Sequence, residues 1–541
     1  MVKKGNVSSV PWWQRAVIYQ IYPRSFQDSN GDGIGDLEGI RRRLDFCVSL
    51  GIDAVWLSPI FPSPMADFGY DISNYTDIDP TFGTMRDFDR LLEEINRRGL
   101  KLILDYVPNH TSNQHPWFEE ARSSRDNPKR DWYLWRDPLP DGSPPNNWLS
   151  NFGGPAWTLD SLTGQYYYHS FLREQPDLNW RSPAVVEAMH DVLRFWLTKG
   201  VDGFRIDVLW MLIKDDQWRD NPVNPQFRSG MPLFSGHIPL YTSDRPEVQL
   251  IVSGLRQVTD EFQDRVLIGE IYLPLDRLMA YYGKNSSGVQ LPFNFQLLQT
   301  VWDAAVIANL IERYEIALPP GGWPNWVLGN HDNPRMASRV GIDQARIAAM
   351  LLLTLRGTPT MYYGDELGML NVPIPADRVQ DPFEKNVPGK GLGRDPSRTP
   401  MPWDATPHAG FSDHPPWLPV TPAHSTVNVE FQTHESASFL SLYRALLRIR
   451  KSCPALSTGD FTRLDGPRSV LAYLRDYGGE RLLIALNFGA KASEFSLRSM
   501  GAGRVLLSTC MDRADEKLTD VLRLRSNEGI IALISEARNL P

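Results

Sequence analysis

Eight short apolar runs recur along this chain, and turn residues such as Gly, Pro, Asn or Asp bound each of them. The runs lack the strict alternation of polar and apolar residues that marks a sheet with one solvated face. They are typical of parallel strands that are buried on both faces. In chain order the runs are AVIYQIYP, IDAVWLSPI, LKLILDYVPNH, VDGFRIDV, RVLIGEIY, LPFNFQ, NWVLGNHD and GTPTMYYGDE.

Helical patterns separate these predicted strands. Clear examples are LEGIRRRLDFCVSLG, MRDFDRLLEEINRRG, SPAVVEAMHDVLRFWLTKG and DQARIAAMLLLTLRG. Each ends in Gly, a residue that commonly stops a helix. Eight strands that alternate with helices predict an α/β fold, the (β/α)8 TIM barrel.

Long segments interrupt this alternation. Residues 110–180 are rich in Trp, Pro, Asn and Gly and are too long for a plain loop, so we predict an inserted subdomain after strand 3. Residues 370–420 form a second irregular segment, after strand 8. Residues 456–541 contain SVLAYLRD, RLLIALNF, RVLLSTC and GIIALIS, which predict a C-terminal antiparallel β domain. The barrel is assigned to residues 1–109 and 181–455.

Charge and composition argue against several classes of partner. The formal net charge is −8, so we expect neither nucleic acid nor an anionic membrane surface as a partner. The longest apolar run, IAAMLLLTL, is too short for a membrane helix. Cys47, Cys453 and Cys510 form no disulfide or zinc pattern. Because the N-terminal residues contain no apolar signal core, we predict a cytoplasmic protein.

Polar side chains gather at the carboxyl ends of the predicted strands, which form the active-site face of a (β/α)8 barrel. Three acids, Asp207, Glu270 and Asp332, end strands 4, 5 and 7. Arg205 stands two residues before Asp207, on the same side of the strand, and would keep that carboxylate ionised. The other polar residues at these ends are Asp105, Asn109, His110 and His331.

Two chemistries fit these acids. Cleavage of a glycosidic bond needs one carboxylate as nucleophile and one protonated acid, and crowded carboxylates raise the pKa of at least one of them. A metal-dependent barrel would use the same acids and histidines as ligands. A lone Asp at a strand end also often caps the next helix, so the spacing by itself leaves the alternatives open.

Short sequence blocks distinguish these alternatives. DYVPNHTS, GFRIDV, IGEIY and GNHDNPR resemble the four blocks of the α-amylase superfamily of glycoside hydrolases (family 13). QPDLNW, residues 175–180, is similar to the fifth block of the oligo-1,6-glucosidase and α-glucosidase group, and DFGYDISNY, FGGPAW and GRDPSRTPMPWD also resemble that group. The resemblance extends from about Pro11 into the tail. It implies the barrel fold and an α-glucosidase activity.

The resemblance implies a role for each matching residue. Asp207 would be the nucleophile that forms a covalent glucosyl intermediate. Glu270 would protonate the departing oxygen and then activate water, and Asp332 would bind the 2- and 3-hydroxyls of the glucose. The implied mechanism is retaining, with the carboxyls of Asp207 and Glu270 roughly 5 Å apart. The residues implied for the pocket of the terminal glucose are Asp67, Tyr70, His110, Phe152, Arg205, His331, Arg394 and Arg398.

Two of these assignments are more specific. Of the two arginines in GRDPSR, we favour Arg394 over Arg398 as the contact to the sugar. Asp105 matches a block-one aspartate that is usually structural, so we place it outside the catalytic set.

The segment DSNGDGIGDLEGI, residues 28–40, resembles a calcium loop. Relatives in the oligo-1,6-glucosidase group bind Ca²⁺ or a similar ion in a DxNxDGxGD loop after strand 1. A calcium sensor would have a bidentate Glu at the twelfth position, which here is Gly39, so we predict a structural Ca²⁺, with Mg²⁺ as the alternative ion, and no organic cofactor. The other interpretation is a turn closed by its own backbone. The implied ligands are Asp28, Asn30, Asp32, Asp36 and the carbonyl of Ile34.

The predicted enzyme releases terminal glucose from short oligosaccharides or disaccharides, because long loops after strands 3 and 8 would form a pocket rather than an open cleft. Sugar would compete with water for the glucosyl intermediate, which predicts transglucosylation as a side activity. Val208 follows the nucleophile, as in many α-1,6-acting members of this group, whereas the continuation DVLWMLIKDD is closer to broad-specificity α-glucosidases. We expect a monomer or a homodimer.

Two other functions on this scaffold are less favoured. A sucrose or trehalose isomerase would show a basic-aromatic cluster near strand 8, and none is evident in the sequence. A non-catalytic transporter subunit would need a membrane anchor and would lack the acids, whereas this chain has all three.

Overall fold

The computed structural model describes residues 10–498 and 500–535. Its β-strands are β1 (Ile18–Ile21), β2 (Ala54–Leu57), β3 (Lys101–Tyr106), β4 (Trp135–Arg136), β5 (Trp157–Asp160), β6 (Gln165–Tyr168), β7 (Gly203–Ile206), β8 (Val266–Ile271), β9 (Leu291–Asn294), β10 (Asn325–Val327), β11 (Thr358–Tyr362), β12 (Asp460–Leu464), β13 (Val470–Tyr477), β14 (Glu480–Asn487), β15 (Ser493–Ser496), β16 (Gly503–Ser508), β17 (Lys517–Leu518), β18 (Val521–Leu524) and β19 (Gly529–Ile534).

The α-helices cover the barrel and connect its parts. They are α1 (Trp12–Arg15), α2 (Leu37–Arg42), α3 (Leu44–Leu50), α4 (Met85–Arg97), α5 (Pro116–Ser123), α6 (Pro183–Lys199), α7 (Val248–Asp260), α8 (Leu275–Met279), α9 (Gln296–Gln299), α10 (Ala304–Ala317), α11 (Met336–Val340), α12 (Ile342–Thr354), α13 (Pro382–Asn386), α14 (Val429–His434), α15 (Phe439–Ser452) and α16 (Pro454–Thr458).

The predicted (β/α)8 barrel is confirmed. Strands β1, β2, β3, β7, β8, β9, β10 and β11 form one closed barrel in that order, and every ladder between neighbours is parallel. Each of the eight apolar runs supplies one strand. The barrel interior is packed with large side chains such as Trp56, Ile268 and Phe293, so the polar residues that follow the strands are confined to the rim.

Local signals set the helix ends. Thr84 caps α4 through a reciprocal capping box with Asp87, and α6 ends at Gly200, whose φ of 105° lies in the left-handed region. One prediction is wrong in detail, because LEGIRRRLDFCVSLG forms two helices, α2 and α3. The break is at Arg43, whose side chain donates to Gln27 Oε1 at 2.6 Å and lies 4.1 Å from the centre of the Trp403 ring. These tertiary contacts accompany a break that periodicity did not indicate.

Two segments after barrel strands surround the rim. In residues 110–180, strands β4, β6 and β5 form a small antiparallel sheet. The other segment is the largely irregular connection between β7 and α7, which the sequence did not indicate. Its Trp218 ring lies 5.6 Å from the ring of Trp148, which also donates through Nε1 to the carbonyl of Arg219 at 2.8 Å. The two segments therefore pack against each other.

The C-terminal strands form an antiparallel β unit, as predicted. A six-stranded sheet has the order β12-β13-β14-β19-β16-β17, and β15 pairs with β18 beside it. Two buried arginines join this unit to the barrel. Arg475 on β13 donates to the carbonyl of Thr354 on α12 at 2.5 Å, and Arg450 on α15 donates to the carbonyl of Leu456 at 3.0 Å.

Across residues 10–498 and 500–535, none of the helices has both the length and the apolar character that a bilayer crossing requires. The cytoplasmic prediction rests on residues 1–17, of which residues 1–9 lie outside the described residues, and it stays a prediction.

Candidate active site

A cavity of about 470 Å³ opens at the carboxyl ends of the barrel strands. Eight of the predicted site residues line it: Asp67, Tyr70, His110, Phe152, Asp207, Glu270, Asp332 and Arg394. Arg205, His331 and Arg398 lie behind this first layer and are buried. The structure thus brings together residues that lie up to 327 positions apart in the chain.

Arg205 organises the two residues proposed for the chemistry. Its Nη1 donates to Asp207 Oδ1 at 2.8 Å and to Asp105 Oδ1 at 2.7 Å, and its Nη2 lies 2.6 Å from Glu270 Oε2. These residues come from β3, β7 and β8, which are adjacent in the barrel. One buried guanidinium therefore holds three carboxyl groups side by side, and Asp207 and Glu270 share it.

The chain reverses sharply after Asp207. Val208 has φ 37° and ψ 44°, in the left-handed region that a β-branched residue rarely adopts. This conformation directs the Val208 N–H to Glu270 Oε2, at 3.0 Å. Backbone strain of this kind costs about 1–3 kcal/mol and persists where surrounding contacts hold it, often at functional sites.

The electrostatics of the pair favour a retained proton. Burial raises the pKa of Asp207 well above its usual value and also raises that of Glu270, and the positive charge of Arg205 only partly opposes this. The expectation that Arg205 by itself keeps Asp207 ionised is therefore wrong, because burial outweighs the ion pair. Two carboxyls this close titrate together, so a proton stays on the pair at a pH where isolated carboxyls would be ionised. Oε2 of Glu270 already accepts N–H groups from Arg205 and Val208, which leaves Oε1 as the oxygen that can hold a proton.

Asp332 has the opposite character. Burial acts to raise its pKa, but His331 and the charges of Arg398 and Arg394 hold that pKa below the usual range. Its Oδ1 accepts from Arg398 Nη2 at 2.9 Å and from Arg394 Nη1 at 3.3 Å. Asp332 is therefore an ionised acceptor, which suits it to binding sugar hydroxyls rather than to donating a proton.

Arg394 closes the cavity at its other end. Its Nη2 donates to Asp67 Oδ1 and to Asp381 Oδ1, both at 2.6 Å, and its guanidinium carbon lies 5.0 Å from the centre of the Phe152 ring. Arg398 lies deeper, where its Nε donates to the carbonyl of His331 at 2.8 Å. Arg394 lines the cavity and Arg398 does not, which is the placement expected if Arg394 contacts the sugar.

Burial favours the neutral form of both histidines of the site. His331 is buried between Gln20 Nε2 and the Tyr70 hydroxyl, each 2.7 Å from a ring nitrogen, and burial lowers its pKa. His110 lies 3.0 Å from Gln175 Nε2, and burial lowers its pKa to about 4. Neutral imidazoles can exchange hydrogen bonds with hydroxyls without adding charge to the site.

Sequence reasoning missed several supporting residues. Asp381 holds Arg394, and Gln175 links His110 to Asp67 through a bond of 3.3 Å to Asp67 Oδ2. Lys214, fully buried, donates to Asn109 Oδ1 at 2.7 Å and pairs with Asp177, and so ties the inserted segment to the barrel rim. The cavity is also lined by Asn151, Phe171, Val208, Trp210, Met211, Phe234, Tyr272, Gln299, Phe383 and Leu392. The sequence had singled out Val208 of this lining, whereas for Asp381, Gln175 and Lys214 the only signal was the lysine within the apolar stretch WMLIKDD.

The loop predicted to bind calcium is closed by its own backbone. Asp28 accepts the N–H groups of Asn30, Gly31 and Gly33 at 2.8–2.9 Å and the Ser412 hydroxyl at 2.6 Å. Within residues 10–498 and 500–535, no three or more His, Cys, Asp or Glu side chains are gathered as a metal site.

The other predicted ligands of that loop differ in exposure. Asp36 is buried and accepts from Ser29 and Gly39, whereas Asn30 and Asp32 are exposed and each accepts one backbone N–H. The ligand oxygens are of the type that Ca²⁺ prefers, but several are engaged in turns. Calcium binding at this loop stays a prediction.

The fold and the three acids at its rim define a glycoside hydrolase. The family model described as alpha amylase, catalytic domain, matches residues 20–459, and the model for the maltogenic amylase C-terminal domain matches residues 461–510. The chain belongs to the α-amylase family of glycoside hydrolases, in the group of α-glucosidases and oligo-1,6-glucosidases.

Relatives and solved structures agree with this assignment. The chain is 44% identical over 502 residues to a probable alpha-glucosidase of Rhizobium meliloti, covering 89% of this chain and 90% of that protein. It is 40% identical to an oligo-1,6-glucosidase of Halalkalibacterium halodurans, covering 97% and 99%.

Two solved structures cover 97% of this chain and all of their own. One is an alpha-glucosyl transfer enzyme (41% identity, TM-score 0.91), and the other is a trehalulose synthase of Pseudomonas mesoacidophila MX-45 (36% identity, TM-score 0.89).

Proposed function

We propose that this protein is a retaining, exo-acting α-glucosidase that releases terminal glucose from short α-gluco-oligosaccharides. The observation that carries the proposal is the shared guanidinium of Arg205, which lies 2.8 Å from Asp207 Oδ1 and 2.6 Å from Glu270 Oε2. A guanidinium that pairs with both carboxyls keeps them on the same side of the cavity, as the retaining mechanism requires of its nucleophile and its acid.

In the first step Asp207 attacks the anomeric carbon of the terminal glucose. The bond from that carbon to the glycosidic oxygen breaks, and Glu270 gives its proton to the departing oxygen. A covalent glucosyl ester of Asp207 forms. Ionised Asp332, held by Arg394 and Arg398, would bind the sugar hydroxyls while positive charge develops on the ring.

In the second step Glu270 accepts a proton from water, whose oxygen attacks the anomeric carbon and displaces Asp207. The product is α-glucose, because two inversions restore the starting configuration. A sugar hydroxyl in place of water would give transglucosylation, and the likeness to an alpha-glucosyl transfer enzyme supports that side activity.

The cavity is closed at one side, which supports exo-action, the release of glucose from the end of an oligosaccharide. Asp67, Arg394 and Phe152 lie together there, and the ion pair between Asp67 and Arg394 is nearly buried. A polysaccharide chain that continued past the terminal glucose would have to pass through this group.

For the linkage we propose cleavage of both α-1,6 and α-1,4 bonds, with preference for α-1,6. Val208 lines the cavity beside Glu270, so its side chain can sense the glycosidic bond. A second candidate function is sucrose isomerisation, which the likeness to a trehalulose synthase favours.

One substrate panel separates these functions. Purified protein is given isomaltose, maltose, trehalose and sucrose, and the first products are followed by proton NMR. Glucose released first as the α-anomer from isomaltose and maltose supports the proposal. First release of β-glucose would contradict the retaining mechanism, and trehalulose or isomaltulose from sucrose without net hydrolysis would favour the isomerase.

We also propose that the loop at residues 28–36 binds a structural Ca²⁺ through Asp28, Asn30, Asp32, Asp36 and the carbonyl of Ile34. The support is the concentration of oxygen ligands within nine residues, the last of which, Asp36, caps α2. The ion would stabilise the loop and take no part in catalysis.

A further inference from the structure

Another cavity, of about 430 Å³, lies at the opposite end of the barrel from the active site, where the strands begin. Val17 directly precedes β1, Asp53 directly precedes β2, and Lys101 is the first residue of β3. Other walls come from α1 and from the ends of α15 and α16. We call this space the basal cavity. Its lining residues are Trp12, Arg15, Ala16, Val17, Asp53, Gly99, Lys101, Arg450, Lys451 and Ser457.

Positive charge dominates the basal cavity. Asp53 is the one carboxylate that the described part of the chain places in the lining. The whole chain has a formal net charge of −8, so this concentration of cations is a local feature. Like charges gathered in one cavity repel each other, and an anion bound among them would relieve that repulsion. The four cations of the lining are Arg15, Lys101, Arg450 and Lys451.

The two lysines of the basal cavity already have counter-ions. Lys101 Nζ lies 2.9 Å from Asp202 Oδ1, and Lys451 Nζ lies 3.0 Å from Asp53 Oδ1. The other carboxylate oxygen of Asp53 accepts the N–H of Val17 at 2.9 Å. Because Asp53 and Asp202 are engaged in this way, neither of them neutralises a further cation.

The two arginines supply the excess positive charge. Arg450 is buried, and its guanidinium donates to four neutral backbone carbonyls at 2.6–3.2 Å. Its Nε has no hydrogen-bond partner among the described residues. Burial lowers the pKa of Arg450 to about 10, so the side chain is charged at neutral pH. Within residues 10–498 and 500–535, the ion pairs of the lining cations are those of the two lysines, and Arg15 takes part in none.

A flat aromatic wall lies beside these cations. The Trp12 side chain lines the cavity, and its Nε1 donates to the carbonyl of Asp264 at 2.9 Å, which fixes the orientation of the ring. Lys101 Nζ lies 5.7 Å from the centre of the same ring. At Gly99, an added Cβ would meet no atom within 4 Å, so the cavity is open there. An anion held by the cations would therefore have room for an attached ring that contacts Trp12.

We propose that the basal cavity binds a phosphate monoester of a small organic molecule, with the phosphate beside Arg15, Arg450 and Lys451 and the organic group against Trp12. A phosphate monoester has close to two negative charges at neutral pH and three acceptor oxygens, which suits a cavity with excess positive charge and several N–H donors. The volume lies in the range of about 300–1,000 Å³ that is usual for small-molecule sites. The basal cavity shares no lining residue with the active site, so this inference does not depend on the proposed function.

The first experiment measures binding of phenyl phosphate, inorganic phosphate and phenol by titration calorimetry at neutral pH. We expect one saturable site for phenyl phosphate and at least about threefold weaker binding of inorganic phosphate, which has no ring to contact Trp12. Phenol should not bind measurably, because it lacks the charge. Higher ionic strength should weaken the binding of both phosphates.

Variants locate the site. Arg15→Gln and Lys451→Gln should each raise the Kd of both phosphates by about fivefold or more, because each removes a charge-assisted hydrogen bond. Trp12→Leu should raise the Kd of phenyl phosphate by about threefold or more and leave that of inorganic phosphate nearly unchanged. The matched control is Arg448→Gln, at an exposed arginine of α15 that does not line the cavity, which should bind as the unmodified protein does.

Thermal melts complete the test. Without ligand, Arg15→Gln and Lys451→Gln should melt close to the unmodified protein, because both side chains are exposed. Phenyl phosphate should raise the melting temperature of the unmodified protein and of Arg448→Gln, and much less that of the other two variants. Lack of saturable binding by the unmodified protein, or equal weakening in Arg448→Gln, would overturn the inference. Equal Kd values for phenyl phosphate and inorganic phosphate would overturn the assignment of a monoester.

Discussion

Two arginines at the barrel rim each hold three carboxyl groups, but the chain supports them differently. Arg205 contacts Asp105, Asp207 and Glu270 at 2.6–2.8 Å, and all four residues lie at the ends of adjacent barrel strands. The second arginine, Arg394, contacts its carboxylates at 2.6–3.3 Å, but every member of that group lies on a connecting segment. Its partners are Asp67, Asp332 and Asp381.

This difference separates the residues that carry out bond cleavage, which the barrel strands hold, from the residues that recognise the sugar, which the loops hold. Strand register holds the Arg205 group, so its geometry follows from the barrel itself. Loop conformation holds the Arg394 group, and loops can change without cost to the barrel. We therefore expect the Arg205 group to set the rate of bond cleavage and the Arg394 group to set which sugar is accepted.

The largest effect is expected at Asp207. Asp207→Asn removes the nucleophile and should lower kcat by at least about 10⁴-fold, because an amide cannot form the glucosyl ester. The amide keeps the shape of the side chain beside Arg205, so the melting temperature should change little. Steady-state hydrolysis of isomaltose and a thermal melt measure both.

The control for that variant is Asp216→Asn, the same change at an exposed position outside the cavity, which should retain full activity. Substantial activity in Asp207→Asn would refute the assignment of the nucleophile.

A smaller loss is expected at Glu270. Glu270→Gln should lower kcat by about 10²–10⁴-fold for isomaltose and much less for a dinitrophenyl α-glucoside, whose leaving group needs no proton. Burial raises the pKa of Glu270, so kcat/KM of the unmodified enzyme should fall only as the pH rises above the usual carboxyl range. The variant should lose this alkaline decline.

A pH profile of kcat/KM with both substrates tests this directly. If the alkaline decline persisted unchanged in Glu270→Gln, another group would be the acid.

The same conservative change, from arginine to lysine, can be made at Arg205 and at Arg394. Arg205→Lys should mainly lower kcat, and Arg394→Lys should mainly raise KM, each by about tenfold or more, because lysine keeps the charge but loses the planar fork. Full initial-rate curves with isomaltose separate the two parameters. The same parameter changing in both variants would contradict the division between chemistry and recognition.

The removal of calcium should have the smallest effect on catalysis. If the loop at residues 28–36 binds Ca²⁺, chelation should lower the melting temperature by about 2–4 °C and leave kcat at 25 °C nearly unchanged. An Asp32→Asn variant should respond less to the chelator, because it lacks one ligand charge. If chelation changed neither the melting temperature nor the activity, the turn would need no metal.

The sequence by itself determined the barrel and the acids at its rim. Each strand is a local apolar run, and each acid follows a strand, so both follow from residues close together in the chain. The motif GFRIDV also placed Arg205 and Asp207 on one side of β7. Since parallel strands end at a common edge, no knowledge of distant contacts was needed to expect Asp207, Glu270 and Asp332 in one site.

Only the tertiary structure decided the rest. The pairing of Arg394 with Asp67 joins residues 327 positions apart, and Phe234 reaches the cavity from an excursion that no pattern indicated. Such contacts depend on how irregular segments fold over the rim, and short-range periodicity contains no information about that. The left-handed backbone of Val208 has the same origin, because contacts around Glu270 hold a conformation that valine alone disfavours.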